Sequence, residues 1–344
     1  MHQRLPAEWE PQSGVLLTWP HPGTDWAPVL SRVEPVFVRI GREVTRFERR
    51  LGACHDEDRR AHVAARLAEA DVDLSRVVLA VVPSDDTWAR DHGPITVYRG
   101  GRPAVLDYVF NGWGGKFEAT LDDQIPSRLA GCGVFGHAAC EVQDLVLEGG
   151  SIEVDGGGTL LTTRQCLLNP NRNPGLGQAE IEARLRTALG VTRFLWLSHG
   201  HLEGDDTDSH VDTLARLCDP RTIAYQSCDD RADPHHENLA AMAEELRAFR
   251  TAGGDPYRLL PLPWPRPCLA EDGRRLPATY ANFLIVNDAV LVPTYDDPAD
   301  RHALARLEDV FPDREIVGVP CRALVEQGGS LHCLTMQLPE GLLA

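Results

Sequence analysis

The stretch "LEGGSIEVDGGGTLLTT", residues 147–163, decides how the rest of the chain is read. "SIEV" and "TLLTT" are short, apolar and rich in β-branched residues, and they flank Asp155 and three glycines. Such a pair predicts a β-hairpin turning at Asp155–Gly158, because glycine reaches the backbone conformations that a tight reversal demands. Just ahead, an apolar strand ends at Leu147 and Glu148 precedes two more glycines. This puts the carboxylate either at a strand end over a cleft or, more ordinarily, in solvent.

Working outward, "NFLIVNDAVLVPTY" (282–295) predicts a second hairpin, turning at Asn287–Asp288. Further strand-like runs are "GVLLTWP" (14–20), "VVLAVVP" (77–83), "PAVLDYVF" (103–110), "RFLWLS" (193–198) and "REIVGVP" (314–320). Helical periodicity covers Val33–Leu51, His62–Ala70, Gln178–Leu189, Asn238–Thr251 and 298–310. Strands alternating with helices predict an α/β fold with a mixed sheet or several small sheets. The glycines cluster in hairpins and loops, which removes Rossmann and P-loop readings. No composition shift marks a boundary, so the reading is one domain over residues 1–344.

The totals narrow the class. A chain of 344 residues with 43% hydrophobic and 25% charged residues is an ordinary globular composition. No run approaches the roughly 18 apolar residues of a membrane helix, and "MHQRLPAEWEPQ" has no apolar signal region. The expected compartment is therefore cytoplasmic, with no membrane partner. Nine cysteines without a CxxC pair read as mostly buried, inert thiols. With 34 basic against 51 acidic residues, the net charge of −17 disfavours nucleic acid. It favours cationic ligands by steering, or serves simple solubility.

Five segments place ionisable or aromatic groups beside glycine or a strand end. These are "DDTWARDHGP" (85–94), "FNGWGGK" (110–116), "LEGGS" (147–151), "DSHVD" (208–212) and the "HC" of "GGSLHCLTM" (328–336). In an extended "HVD", His210 and Asp212 would share one face, and the carboxylate would raise the imidazole pKa. The plainer alternative is a solvated acidic loop. Trp88 is read as either core packing or a wall of the site.

The combination carries more than its parts. A Cys333–His210 pair needs at most one carboxylate to orient the imidazole. Asp91, Glu148 and Asp212 together would repel a developing anion and raise the thiol pKa. Surplus acids make sense only if the substrate is itself cationic, and a guanidinium is planar, permanently charged and matched to carboxylates.

These motifs, with "AEWEPQSGVLLTWPH" near the start and "RQCLLNPNRNP" after the first hairpin, run in order from about residue 5 to 340. Together they resemble the agmatine deiminase and bacterial peptidylarginine deiminase family. The resemblance implies the pentein fold, an α/β propeller of five ββαβ-type units with the site in a central channel. It puts the catalytic cysteine at Cys333, the histidine at His210, and acids at Asp212, Asp91 and Glu148. Asp91, Asp212, Trp88 and Trp113 are the implied substrate-binding residues. Ser209 stands where the family has glycine, His92 where it has threonine, and "EQGGS" is less glycine-rich than usual. These departures touch the channel wall rather than the chemical core.

The implied activity is cysteine-dependent hydrolysis of a guanidino group through a thiouronium intermediate, with no metal or organic cofactor. Agmatine, giving N-carbamoylputrescine and ammonia, is the expected substrate. Peptidylarginine and free arginine are the alternatives. Arginine's carboxylate would need a cation such as Arg90, Lys116, Arg172 or Arg322. Rival classes are a metal-dependent hydrolase built on "HGH" (199–201), Glu203, Asp208, His210 and Asp212, or a non-catalytic guanidine- or polyamine-binding protein. A homodimer is the base-rate expectation.

Overall fold

The hairpin of 147–163 forms as its sequence requires. Strands Ile152–Val154 and Thr159–Thr163 pair antiparallel, with Ile152 opposite Thr162. Asp155 Oδ1 accepts hydrogen bonds from the Gly157 and Thr159 amides at 2.8 Å each, and Gly156 and Gly158 take positive φ. A computed structural model describes residues 3–343, and the same motif recurs around it.

Five sheets share one pattern: an antiparallel strand pair followed, after a helix, by a parallel third strand. Strands Ile95–Arg99 and Arg102–Val109 are joined by Ala139–Val146. The central hairpin is joined by Arg193–Leu197 across helix Gln178–Leu189. Ala215–Asp219 and Thr222–Gln226 are joined by Arg258–Leu262 across helix His236–Ala248. Leu284–Val286 and Ala289–Thr294 are joined by Glu315–Pro320 across helix Asp300–Glu308. The fifth sheet uses both ends of the chain. Thr335–Pro339 pairs antiparallel with Gln12–Thr18, which runs parallel to Arg49–Cys54, itself parallel to Val77–Val81.

The helices sit where apolar residues repeat at helical spacing. Leu30–Phe47 buries Val33, Phe37, Ile40 and Val44 on one face. Glu57–Glu69 starts at Asp56, whose side chain accepts the Arg59 amide at 2.7 Å. Buried apolar residues form three clusters, the largest including the fully buried Trp19, Trp26 and Phe37. Among the described residues no helix is long and apolar enough to cross a membrane.

Three expectations need correction. The helix predicted over Val33–Leu51 stops at Phe47, because "RRLGAC" is a strand held between two parallel neighbours. The strands at 139–146, 215–226 and 258–262 were not predicted. "HVD" is no extended segment: Val211–Thr213 is a 3₁₀ turn entered through Asp208 and Ser209, both at positive φ.

Candidate active site

Asp91, Glu148, Asp212, Asn282 and Cys333 each sit two to four residues ahead of the first strand of one sheet. Asp91 lies on the single helical turn Ala89–His92, and Glu148 follows Ala139–Val146. His210 caps the 3₁₀ turn that carries Asp212. Cys333 lies in the turn His332–Leu334, directly before the C-terminal strand. Because these loops leave their sheets at equivalent points, side chains far apart in sequence converge.

Gly150 marks the point of convergence. A Cβ there would lie 2.6 Å from His210 Nδ1, 2.8 Å from Asp91 Oδ1 and 3.3 Å from Asp212 Cγ. Only glycine fits among these three groups, which is a physical reason for the second glycine of "LEGGS".

Around Cys333 the contacts are polar and close. Asn282 Nδ2 lies 3.3 Å from the sulfur, and Asp212 Oδ2 lies 3.8 Å from it. Asn282 Oδ1 also accepts the His332 and Cys333 amides at 2.8 and 3.3 Å, pinning the turn. Burial pushes the thiol pKa well above its ordinary value, and Asp212 and Asp91 push it further. In the free protein the sulfur is therefore a protonated thiol.

His210 has the opposite environment. Burial alone would lower its pKa, yet Asp91, then Cys166 and Glu148, outweigh it and raise it well above the ordinary value. Its Nδ1 lies 3.5 Å from Asp91 Oδ1 and its Nε2 3.8 Å from Glu148 Oε2. Neither ring nitrogen makes a hydrogen bond among the described residues. Burial raises Asp91 to about 6 against the pull of His210, while its oxygens accept Trp113 Nε1 at 2.9 Å and the Gly150 amide at 3.0 Å. Glu148 is also opposed by burial, but His210 and the guanidinium of Arg172, 2.9 Å away, hold it below the ordinary range.

His332 explains why a histidine precedes the cysteine. Its Nδ1 lies 2.7 Å from Asp212 Oδ2 and its Nε2 lies 2.7 Å from Glu8 Oε2. Glu8 in turn meets Arg216 at 2.9 Å and Arg90 at 3.4 Å. Burial favours protonated Asp212, but His332 and then His210 hold it ionised below the usual carboxylate range. One oxygen, Asp212 Oδ1, is buried without a partner among the described residues.

Above Cys333 opens a cleft of about 130 Å³, continuous with solvent. Its walls include Trp88, Trp113 and Phe117. Trp113 holds φ 54° between glycines at positive φ, a backbone that turns its ring inward onto Asp91. Trp88 is anchored by Nε1 on Asp86 at 3.0 Å, and Gly329 lies so close to its ring that a Cβ would come within 2.3 Å. At the mouth stand Asp25, Asp206 and Glu326, with Arg274 as the one cation among the lining residues.

The structure thus brings together all seven residues picked from the sequence, but not in the pairs expected. His210 sits against Asp91 and Glu148, whereas Asp212 is bonded to His332. The cations considered for a substrate carboxylate have other partners: Arg90 and Arg172 are buried in ion pairs, Lys116 meets Asp208 at 2.9 Å, and Arg322 donates to Leu269 O at 2.7 Å. The "HGH" metal set is dispersed. His199 pairs with Glu245 at the surface, and Asp208 is taken by Arg172 and Lys116. Asn282, His332 and Glu8 were missed. Their one available signal was position, since Asn282 opens the second hairpin as Glu148 precedes the first.

The sequence profile of the Porphyromonas-type peptidyl-arginine deiminase family matches residues 4–339. An agmatine deiminase of Pseudomonas aeruginosa is 37% identical, covering 98% of this chain and 95% of that protein. A solved Porphyromonas gingivalis structure, provisionally an arginine deiminase, is 48% identical with a TM-score of 0.92, over 99% of this chain and 100% of that one. An agmatine deiminase of C. jejuni, solved as a cysteine-to-serine variant with substrate bound, is 36% identical with a TM-score of 0.89, over 99% and 97%.

Proposed function

We propose that this chain, which belongs to the Porphyromonas-type peptidyl-arginine deiminase family, is a cysteine-dependent deiminase of a small guanidino amine, with agmatine as substrate. The observation that carries the reading is a buried thiol beside Asp91 and Asp212 whose cleft, with Arg274 as the one cation among its described lining residues, is short of positive charge. A guanidinium supplies that charge. It would lie between Asp91 and Asp212, with the unpartnered Asp212 Oδ1 as one acceptor, and its central carbon would face Cys333 Sγ.

The steps follow from the charges. The bound cation offsets the acids that hold the thiol protonated, so the thiol proton passes to solvent, where it ends on the released ammonia, and the thiolate attacks the guanidino carbon. His210, already held as an imidazolium, gives its proton to the departing ammonia. The thiouronium on Cys333 is then hydrolysed by water with His210 as base, releasing the ureido product and restoring the thiol. For agmatine that product is N-carbamoylputrescine. Asn282 holds the sulfur and its turn, and Glu8 through His332 holds Asp212. None of these steps calls on a metal or organic cofactor.

The mouth favours a substrate with a cationic far end over one with a carboxylate, since Asp25 and Asp206 outnumber Arg274 there even with Glu326 taken up by Arg32. The similarity to named agmatine deiminases points the same way. Ammonia release should be fastest with agmatine, slower with a blocked arginine peptide and slowest with free arginine. A preference for free arginine would refute the substrate assignment. Saturable agmatine binding without any turnover would instead favour the binding-protein reading.

Within the same reading, the five similar sheets form one pentein domain, a five-bladed α/β propeller around the channel that holds Cys333. The recurrence of a site residue just ahead of each sheet supports it.

A further inference from the structure

Behind His210, on the side away from Asp91, a second thiol lies in the site. Cys166 belongs to the short helix Arg164–Leu167, is fully buried, and places its sulfur 3.9 Å from Glu148 Oε2. His210 Nε2 is 3.8 Å from the same oxygen. One ligand atom each from Glu148, Cys166 and His210 lie within 4.8 Å of one another. The catalytic scheme uses His210, which Glu148 helps hold as an imidazolium, and gives Cys166 no step of its own.

We propose that Glu148, Cys166 and His210 form an inhibitory site for a thiophilic divalent cation such as zinc. The donor set is one oxygen, one sulfur and one imidazole nitrogen, the mixture that zinc takes in tetrahedral sites. Ligand lengths of about 2.0–2.3 Å put such donors roughly 3.3–3.6 Å apart, so Glu148 Oε2 needs to draw a few tenths of an ångström nearer to each partner, and the sulfur and imidazole, within 4.8 Å of each other, need to close by about 1 Å at most.

Two independent features fit an ion here. Nε2 of the fully buried His210 has no hydrogen-bond partner among the described residues, and it faces Glu148. The surroundings also match what metal-bound groups need. Nδ1 faces Asp91 Oδ1 at 3.5 Å, giving a carboxylate–histidine–metal line, and Arg172 Nε holds the other oxygen of Glu148 at 2.9 Å. An entering dication displaces to solvent the proton on the sulfur and any proton on Nε2. Once its Nε2 is ligated, His210 can no longer carry a proton to ammonia, and turnover stops. This last step rests on the role given to His210 above. Binding does not.

The test uses cobalt(II) in place of zinc, since a cobalt–thiolate bond gives a charge-transfer absorption whether or not the protein turns over any substrate. Wild type and Cys333→Ala are expected to show that absorption with one ion per chain. Cys166→Ser and Cys166→Ala, each checked for folding by circular dichroism, are expected to lose it. In the same Cys166 variants the zinc concentration giving half-inhibition of ammonia release should rise roughly tenfold or more. If the absorption vanished in Cys333→Ala and persisted in the Cys166 variants, the ion would sit on the nucleophile and the proposal would fall. Absence of the band in wild type, or band formation without loss of turnover, would overturn it as well.

Discussion

Cys333 is a poor nucleophile in the free protein, and its neighbours say why: burial and two carboxylates keep its proton on. Alkylation of the free protein by a neutral reagent should therefore stay slow through neutral pH and accelerate only in alkaline solution. A bound, unreactive guanidinium should move that rise to lower pH; an unchanged profile would contradict substrate-assisted activation. Asp91 gives a second pH signature. It is pushed up to about 6, so it is anionic above that pH and neutral below. Because only the anion grips a guanidinium, the KM for agmatine should climb by up to about tenfold per pH unit below that point. Gly150→Ala should lower kcat by roughly a hundredfold, as its methyl would displace His210, Asp91 or Asp212 from their positions. Residues of this kind were legible in the sequence where the chemistry demanded their type. Cys333, His210 and the three acids could be picked because surplus carboxylates beside a thiol need a cationic visitor. Asn282 and Glu8 are common residues in plain surroundings, and only folding brings them to Cys333 and His332.

Elements were legible where their ends are chemically marked. Gln178–Leu189 matches its predicted span, bracketed by Gly177 and by Gly190, whose left-handed φ of 70° closes the helix. Gly190→Ala should lower stability by at least about 1 kcal/mol, seen as a reduced Tm. The strain at positive φ is compounded because the new Cβ would fall 1.9 Å from Gln3 O. Both hairpins announced themselves through their turn residues. Arg49–Cys54 did not, because its arginines continue the amphipathic rhythm of the helix before it, and nothing local reveals parallel partners on both sides. Ala139–Val146 was hidden differently. It borders its sheet with only one partner, so it carries solvated charges instead of an apolar run.

At the scale of the whole molecule, the two ends of the chain close one sheet, and Glu8 ties them to the site. It accepts the Ile285 amide at 2.7 Å and meets His332, Arg216 and Arg90, all buried. Glu8→Ala would leave the buried Arg90 without its ion-pair partner and take one acceptor from each of Arg216 and His332, and should cost roughly 3–5 kcal/mol of stability, read by denaturant unfolding. Glu8→Gln keeps an acceptor for His332 and should recover part of that loss. Its residual defect should appear in kcat more than KM if Glu8 acts by positioning Asp212. The fivefold recurrence of sheets stayed invisible in the sequence because the modules share topology and not residues, and one of them is split between the two termini. What the recurrence delivers is one cysteine among acids from other sheets. The most direct test of its role is peptide mass spectrometry on protein acid-quenched during turnover of agmatine. The peptide containing Cys333 should carry the mass of the substrate less ammonia. Full-rate ammonia release with no such adduct, or with the adduct on another residue, would contradict the account.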